Sequence, residues 1–135
     1  AGTLELSAPD TIDFGTHPIS GATQNLTGNL DQAVEVTDTR SSANLSPWTL
    51  SVAETSPLQD VSGKISQTFS GLMSFNNSTL TDQPLVVQTH SNPSTGEVTT
   101  VVSKNSRAFQ LQAPESLQRQ ADYQGQLTWT LTTAP

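Results

Sequence analysis

Two histidines, twelve carboxylic acids and no cysteine are the groups from which this 135-residue chain could build a reactive site. Without a thiol there is no cysteine nucleophile, disulfide or zinc–thiolate centre. A Ser–His–acid triad needs a histidine that orders and deprotonates the serine, and only His17 and His90 are available. Each sits beside proline or polar turn residues, where an exposed, unemployed histidine is the default expectation. Two isolated histidines give no metal-ligand spacing, and neither an EF-hand loop nor a glycine-rich phosphate loop is present. Asp10, Asp13, Asp31, Glu35 and Asp38 could converge on a hard cation, but solvated acidic loops are the favoured reading. Glycoside hydrolysis needs two acids facing each other across a cleft. Twelve acids make some such pair inevitable in any fold, so it carries no weight. The chain therefore reads as a non-enzyme, with no catalytic residue, cofactor or metal expected.

The two tryptophans are more informative. Trp48, Thr49 and Leu50 are echoed by Trp129, Thr130 and Leu131. In a strand, successive side chains alternate between faces, so each tryptophan shares a face with its leucine while the threonine points away. An indole can serve as a platform for a sugar ring, or it can fill a core. Leu50, Val52, Leu127 and Leu131 lie on the tryptophan side, which favours the core.

The elements that must position these residues are strands. Period-two alternation recurs at Leu4/Leu6, Ile12/Phe14, Val34/Val36, Trp48/Leu50/Val52 and Phe109/Leu111. It is cleanest over the last run, with Tyr123, Gly125, Leu127, Trp129 and Leu131 on one face and Gln124, Gln126, Thr128, Thr130 and Thr132 on the other. Residues 85–87 and 98–102 read as more buried strands, or strands near a sheet crossing. The Asn-, Pro-, Ser- and Gly-rich residues 90–96 between them predict a hairpin with a loop longer than two residues. Residues 65–69 are a weaker strand candidate, and residues 115–120 have the propensity for one short helical turn. Turn signals every eight to twelve residues or so point to an all-β domain, an antiparallel sandwich or barrel-like fold with long loops. No linker interrupts residues 1–135, which read as one domain.

Composition narrows the function classes. Apolar residues make up 33% and charged residues 13% of the chain, both below the ordinary soluble values of nearly half and about a quarter. The deficit is filled by Ser, Thr, Asn and Gln, a balance closer to an exported surface protein than to a cytosolic enzyme. Net charge is −7, and Arg40, Lys64, Lys104, Arg107 and Arg119 are scattered. Nucleic-acid binding, which rests on clustered cations, is not expected. No apolar run reaches the length of a membrane-crossing helix, so no membrane insertion is expected. Ala1 opens the chain without a secretory leader, which in an exported protein would have been removed. Asn-x-Ser/Thr sequences begin at Asn25, Asn76 and Asn77, and a Ser/Thr-rich chain produces these by chance.

Trp48, Thr49 and Leu50 early in the chain, with Trp129, Thr130 and Leu131 near its end, resemble the WxL surface domain of low-GC Gram-positive bacteria. Ile12, Asp13, Phe14 and Gly15 are similar to that family's early phenylalanine–glycine segment. Residues 36–40 (VTDTR) followed by residues 48–52 (WTLSV) are similar to its Asp-Thr-Arg and Trp-Thr-Leu-Ser-Val blocks. Residues 123–135 (YQGQLTWTLTTAP) are similar to its terminal strand. Residues 106–114 match only loosely, and little between the first tryptophan block and the last strand is recognisable. The resemblance implies a secreted, non-catalytic domain held on the cell wall by non-covalent peptidoglycan binding. Trp48, Thr49, Leu50, Trp129, Thr130 and Leu131 would be its motif residues, structural or wall-binding. It also implies an alternative, in which a membrane-anchored WxL-interacting protein is the direct partner and wall contact is indirect.

Overall fold

The computed structural model describes residues 2–133. In chain order the strands are β1 (Leu4–Ser7), β2 (Ile12–Asp13), β3 (Gln24–Thr27), β4 (Asn29–Leu30), β5 (Val34–Asp38), β6 (Trp48–Asp60), β7 (Met73–Phe75), β8 (Ser78–Thr79), β9 (Leu85–His90), β10 (Glu97–Val102), β11 (Phe109–Ala113) and β12 (Tyr123–Thr133). Their pairings are all antiparallel and give sheets of order β1-β5-β10, β3-β11-β7-β8 and β12-β6-β9, with a small β2-β4 pair. The all-β expectation therefore holds. None of these sheets closes on itself, so the barrel-like form is set aside in favour of open sheets packed on a common core. Helix among the described residues is confined to single 3-10 turns at Ser42–Asn44 and Glu115–Leu117, the second falling where one short turn is expected. Ala134 and Pro135, the end of the block that resembles the WxL terminal strand, lie outside the described residues.

Burial follows position in the sheet. Central strands have neighbours on both sides and bury one face fully: Val34, Val36 and Asp38 on β5, Trp48, Leu50 and Val52 on β6, Phe109, Leu111 and Ala113 on β11. Edge strands bury theirs only in part, and Leu127, Trp129 and Leu131 of β12 are half-buried against the same core. Phe109 joins two sheets there, packing edge-on to Trp129 with centroids 6.0 Å apart and tilted against Phe75 at 5.0 Å. The long β6–β12 pairing is broken at two places around Gln126. Gly125 sits at the first of them because a Cβ would come within 2.9 Å of the Ser56 carbonyl oxygen, so only a residue without one lets the strands approach.

Three sequence expectations are corrected. Strands β9 and β10 do not form a hairpin: β9 pairs with β6 and β10 with β5, so the intervening loop arches from one sheet to another. The Gly96 N–H donates to the Asp38 carbonyl (2.7 Å) and the Thr95 hydroxyl to the Arg40 carbonyl (2.8 Å), which ties the arch to the end of β5. The same two strands are not doubly buried. Both lie at sheet edges, covered on one face only, which leaves Val86 and Val98 exposed. Residues 65–69 do not form a strand; only Phe69 makes a bridge, to Leu58. The Asp60 carboxylate accepts from the N–H groups of Ser62 and Ile65 and from the Ser62 hydroxyl, holding the chain in a turn where pairing would have to begin.

Candidate functional site: an amide-lined trough

The six motif residues come together on neighbouring strands. Leu50 of β6 lies directly opposite Leu131 of β12, and Trp129 opposite Val52, so both Trp-x-Leu motifs point into the core from one sheet. Trp48 is buried and Trp129 half-buried, while Thr49 is half-buried and Thr130 exposed on the other face. Trp48 packs edge-on to His90, with centroids 5.5 Å apart.

Close by, Arg40 forks onto Asp38, Nε to Oδ1 at 2.9 Å and Nη2 to Oδ2 at 2.8 Å. It also donates from Nη1 to the Ser46 hydroxyl and from Nη2 to the Ser46 carbonyl, which closes the polar connection leading into Trp48. The Arg40 guanidinium holds the Asp38 carboxyl below its ordinary value, and the Arg40 pKa is raised in turn. Asp38 is thus a buried, paired acid and not part of a solvated acidic loop. A bidentate, hydrogen-bonded pair of this kind satisfies the polar atoms that burial would otherwise penalise.

Of the histidines, His90 departs from expectation and His17 is exposed as expected. His90 is employed: its Nε2 lies 2.6 Å from a Glu97 carboxylate oxygen, bridging the two strands joined by the arch. His17 is exposed, with its Nε2 against the Phe14 carbonyl. Among the described residues, His, Asp and Glu form no group of three or more that could hold a metal, so Asp10, Asp13, Asp31, Glu35 and Asp38 do not converge on one ion. Asp13 instead accepts from the Gly15 N–H and Glu35 from the Thr100 hydroxyl. Glu54 faces inward on β6 and is buried, accepting from the Gly71 N–H through Oε1 while Oε2 has no partner. Burial raises its pKa, opposed by the Gly71 N–H.

The site that sequence reading missed lies on the solvent face of the β3-β11-β7 sheet. Inward positions there carry Leu26, Phe109, Leu111, Met73 and Phe75. The alternate positions carry amides and a hydroxyl, and strand register sets them in rows. Asn25 stands opposite Gln112, and Gln110 lies between Thr27 and Ser74. The β7–β8 turn adds Asn76 and Asn77, whose φ values of 46° and 69° suit a two-residue primed turn. With Arg107 and Ala108 these groups line an open trough of about 440 Å³.

No Asp, Glu or His lines the trough, and Arg107 is the charged group that does. An internal chain of hydrogen bonds fixes one side. Arg107 Nη2 donates to the Thr27 hydroxyl (3.4 Å), that hydroxyl to Gln110 Oε1 (3.2 Å), and Gln110 Nε2 to the Arg107 carbonyl (2.7 Å). Such a surface can hydrogen-bond a polar, uncharged or weakly anionic ligand in several registers, since each amide both donates and accepts. The three asparagines of the Asn-x-Ser/Thr sequences, Asn25, Asn76 and Asn77, are all here. Alternation of Leu26 with polar neighbours, and of Phe109 and Leu111 with Gln110 and Gln112, is the signal that marks this face; nothing local marks the pairing that gathers the strands. No protein-family model matches the chain, and comparisons with curated proteins and with solved structures returned no match.

Proposed function

We propose that this is a non-catalytic, secreted cell-surface domain that attaches to the Gram-positive cell wall by non-covalent binding of peptidoglycan, with the amide-lined trough as its contact. The observation that carries the reading is an acid-free, hydrogen-bonding surface on a chain of net charge −7. A wall rich in anionic polymers repels such a chain, so contact cannot rest on bulk electrostatics and must use neutral sugars and peptide stems, a bridging cation or a protein partner; the trough offers donors and acceptors for the first of these. The resemblance to WxL domains supplies the direction. The clustering of both Trp-x-Leu motifs in one sheet, facing the core, supports a structural role for those residues and binding at another face.

The test is co-sedimentation of the purified domain with purified peptidoglycan and no other protein. Binding is expected, and is expected to fall when Asn25→Asp and Gln112→Glu together place carboxylates in the trough. Undiminished binding in that variant removes the trough from the reading.

One feature favours the second reading, docking onto a membrane-anchored WxL-interacting protein. Among the described residues strand β12 pairs on one side only and contains no charged residue or proline, so beyond the break around Gln126 its free edge carries no charge or proline to discourage strand addition. Sedimentation that appears only after such a protein is added would select this reading.

A further inference from the structure

We infer that the trough reads the peptide part of the wall polymer and not its sugar chain, and that Arg107 anchors a free carboxylate of that peptide. The inference rests on the wall-binding reading and narrows it. Faces of sugar rings bind best against aromatic surfaces, and no aromatic side chain lines the trough. Trp48 and Trp129 are turned into the core with Leu50 and Leu131. What the trough offers instead is a field of amides, each able to donate to a peptide C=O and accept from a peptide N–H.

Arg107 adds the directional element. Its guanidinium is exposed, and one nitrogen is steadied by the Thr27 hydroxyl. No carboxylate lies within ion-pair distance of it among the described residues, whereas Arg40 is committed to Asp38. A guanidinium presents five N–H groups in a planar fork that fits a carboxylate with two parallel bonds. Gln110 and Thr27 form the hydrogen-bonded wall beside it. Asn25, Ser74, Asn76, Asn77 and Gln112 have no side-chain hydrogen bond within the protein among the described residues, so their amides and hydroxyl face only water. A chain that repels anions in bulk would thus accept one anion at one place, where no acid of its own competes.

The experiment is calorimetric titration of the whole domain with three probes: a soluble muropeptide with a free terminal carboxylate, the same muropeptide amidated at its carboxylates, and peptide-free glycan chains. The free-acid muropeptide is expected to bind, and amidation or Arg107→Ala each to weaken it by about two- to tenfold, the scale of a hydrogen-bonded ion pair at an exposed side chain. Arg107→Ala is expected to make no further difference to the amidated probe, because the interaction is then already absent. Arg107→Lys is expected to fall between, keeping charge without the fork. Since Arg107 is exposed, its variants should keep the wild-type melting temperature. Equal binding of the amidated muropeptide, or muropeptide binding indifferent to Arg107, overturns the inference. Tighter binding of bare glycan overturns it while leaving the wall-binding reading in place. Failure to bind any probe or intact peptidoglycan removes both.

Discussion

Single residues divide here into those that hold the fold and those whose side chains face solvent in the trough. Trp48 is 1% exposed, and its indole N–H has no hydrogen-bond partner, so its contribution is packing. Trp48→Ala is expected to destabilise the domain by about 3–5 kcal/mol, a large part of what a small domain has, and Trp129→Ala by less, because Trp129 is half-buried. Urea unfolding checks both, and a Trp48→Ala variant with wild-type stability would refute the packing role. The buried acids respond to pH in opposite directions. Asp38, held down by the Arg40 side chain, and Asp60, held down by the Ile65 N–H and the Ser62 hydroxyl, stabilise the fold above their ordinary value of 3.8. That stability is lost as pH falls through their lower folded values. Glu54 is raised by burial, so its favourable state is the protonated one. Its contribution is full below 4.5 and lost as pH rises through the folded value. Glu54→Gln is therefore expected to raise the melting temperature at pH 7, with a gain that shrinks towards pH 4. A gain of equal size at both pH values would mean that ionisation of Glu54 is not its source.

At the scale of elements, legibility in the sequence tracked how local the determining physics was. Alternation is a property of a few consecutive residues, and it located β1, β5, β11, β12 and the start of β6 from their own side chains. It also placed both tryptophans on the leucine face. Pairing is not local. The polar loop between β9 and β10 has the composition of a hairpin turn, yet the Gly96 and Thr95 bonds to Asp38 and Arg40 draw it across to another sheet. Arg40 and Asp38 could be read as neighbours two positions apart, but not as the clamp that shapes the approach to Trp48. The trough was hidden for the same reason. Asn25, Ser74 and Gln112 are unremarkable polar residues in three separate stretches, and only the order β3-β11-β7 makes them one surface. Catalytic signatures concentrate rare residue types, whereas a hydrogen-bonding face built from Asn, Gln and Ser has the composition of the rest of this chain.

The net charge of the whole molecule sets the conditions for the wall contact proposed for that face. A domain at −7 approaching a wall with anionic teichoic acids is repelled over about 8 Å at physiological salt, the distance beyond which charges are screened. Added salt shortens that distance and weakens the repulsion. The contact proposed for Arg107 has the opposite dependence, since salt weakens an ion pair at an exposed side chain. The two effects separate by substrate. On intact walls the repulsion involves the full charge of the domain and dominates, so retention is expected to strengthen as salt rises at pH 7. On walls stripped of teichoic acid that repulsion is largely gone, and salt should leave retention unchanged or lower it slightly. Lowering the pH from 7 towards 5 should move the intact-wall result in the same direction as salt, because carboxyl groups begin to take up protons as their ordinary values near 4 are approached. Sedimentation across salt and pH on both wall preparations reads the sign directly. Binding to intact walls that falls with salt, or that requires teichoic acid, would mean that a local cationic surface outweighs the net charge, and the repulsion account would have to be abandoned.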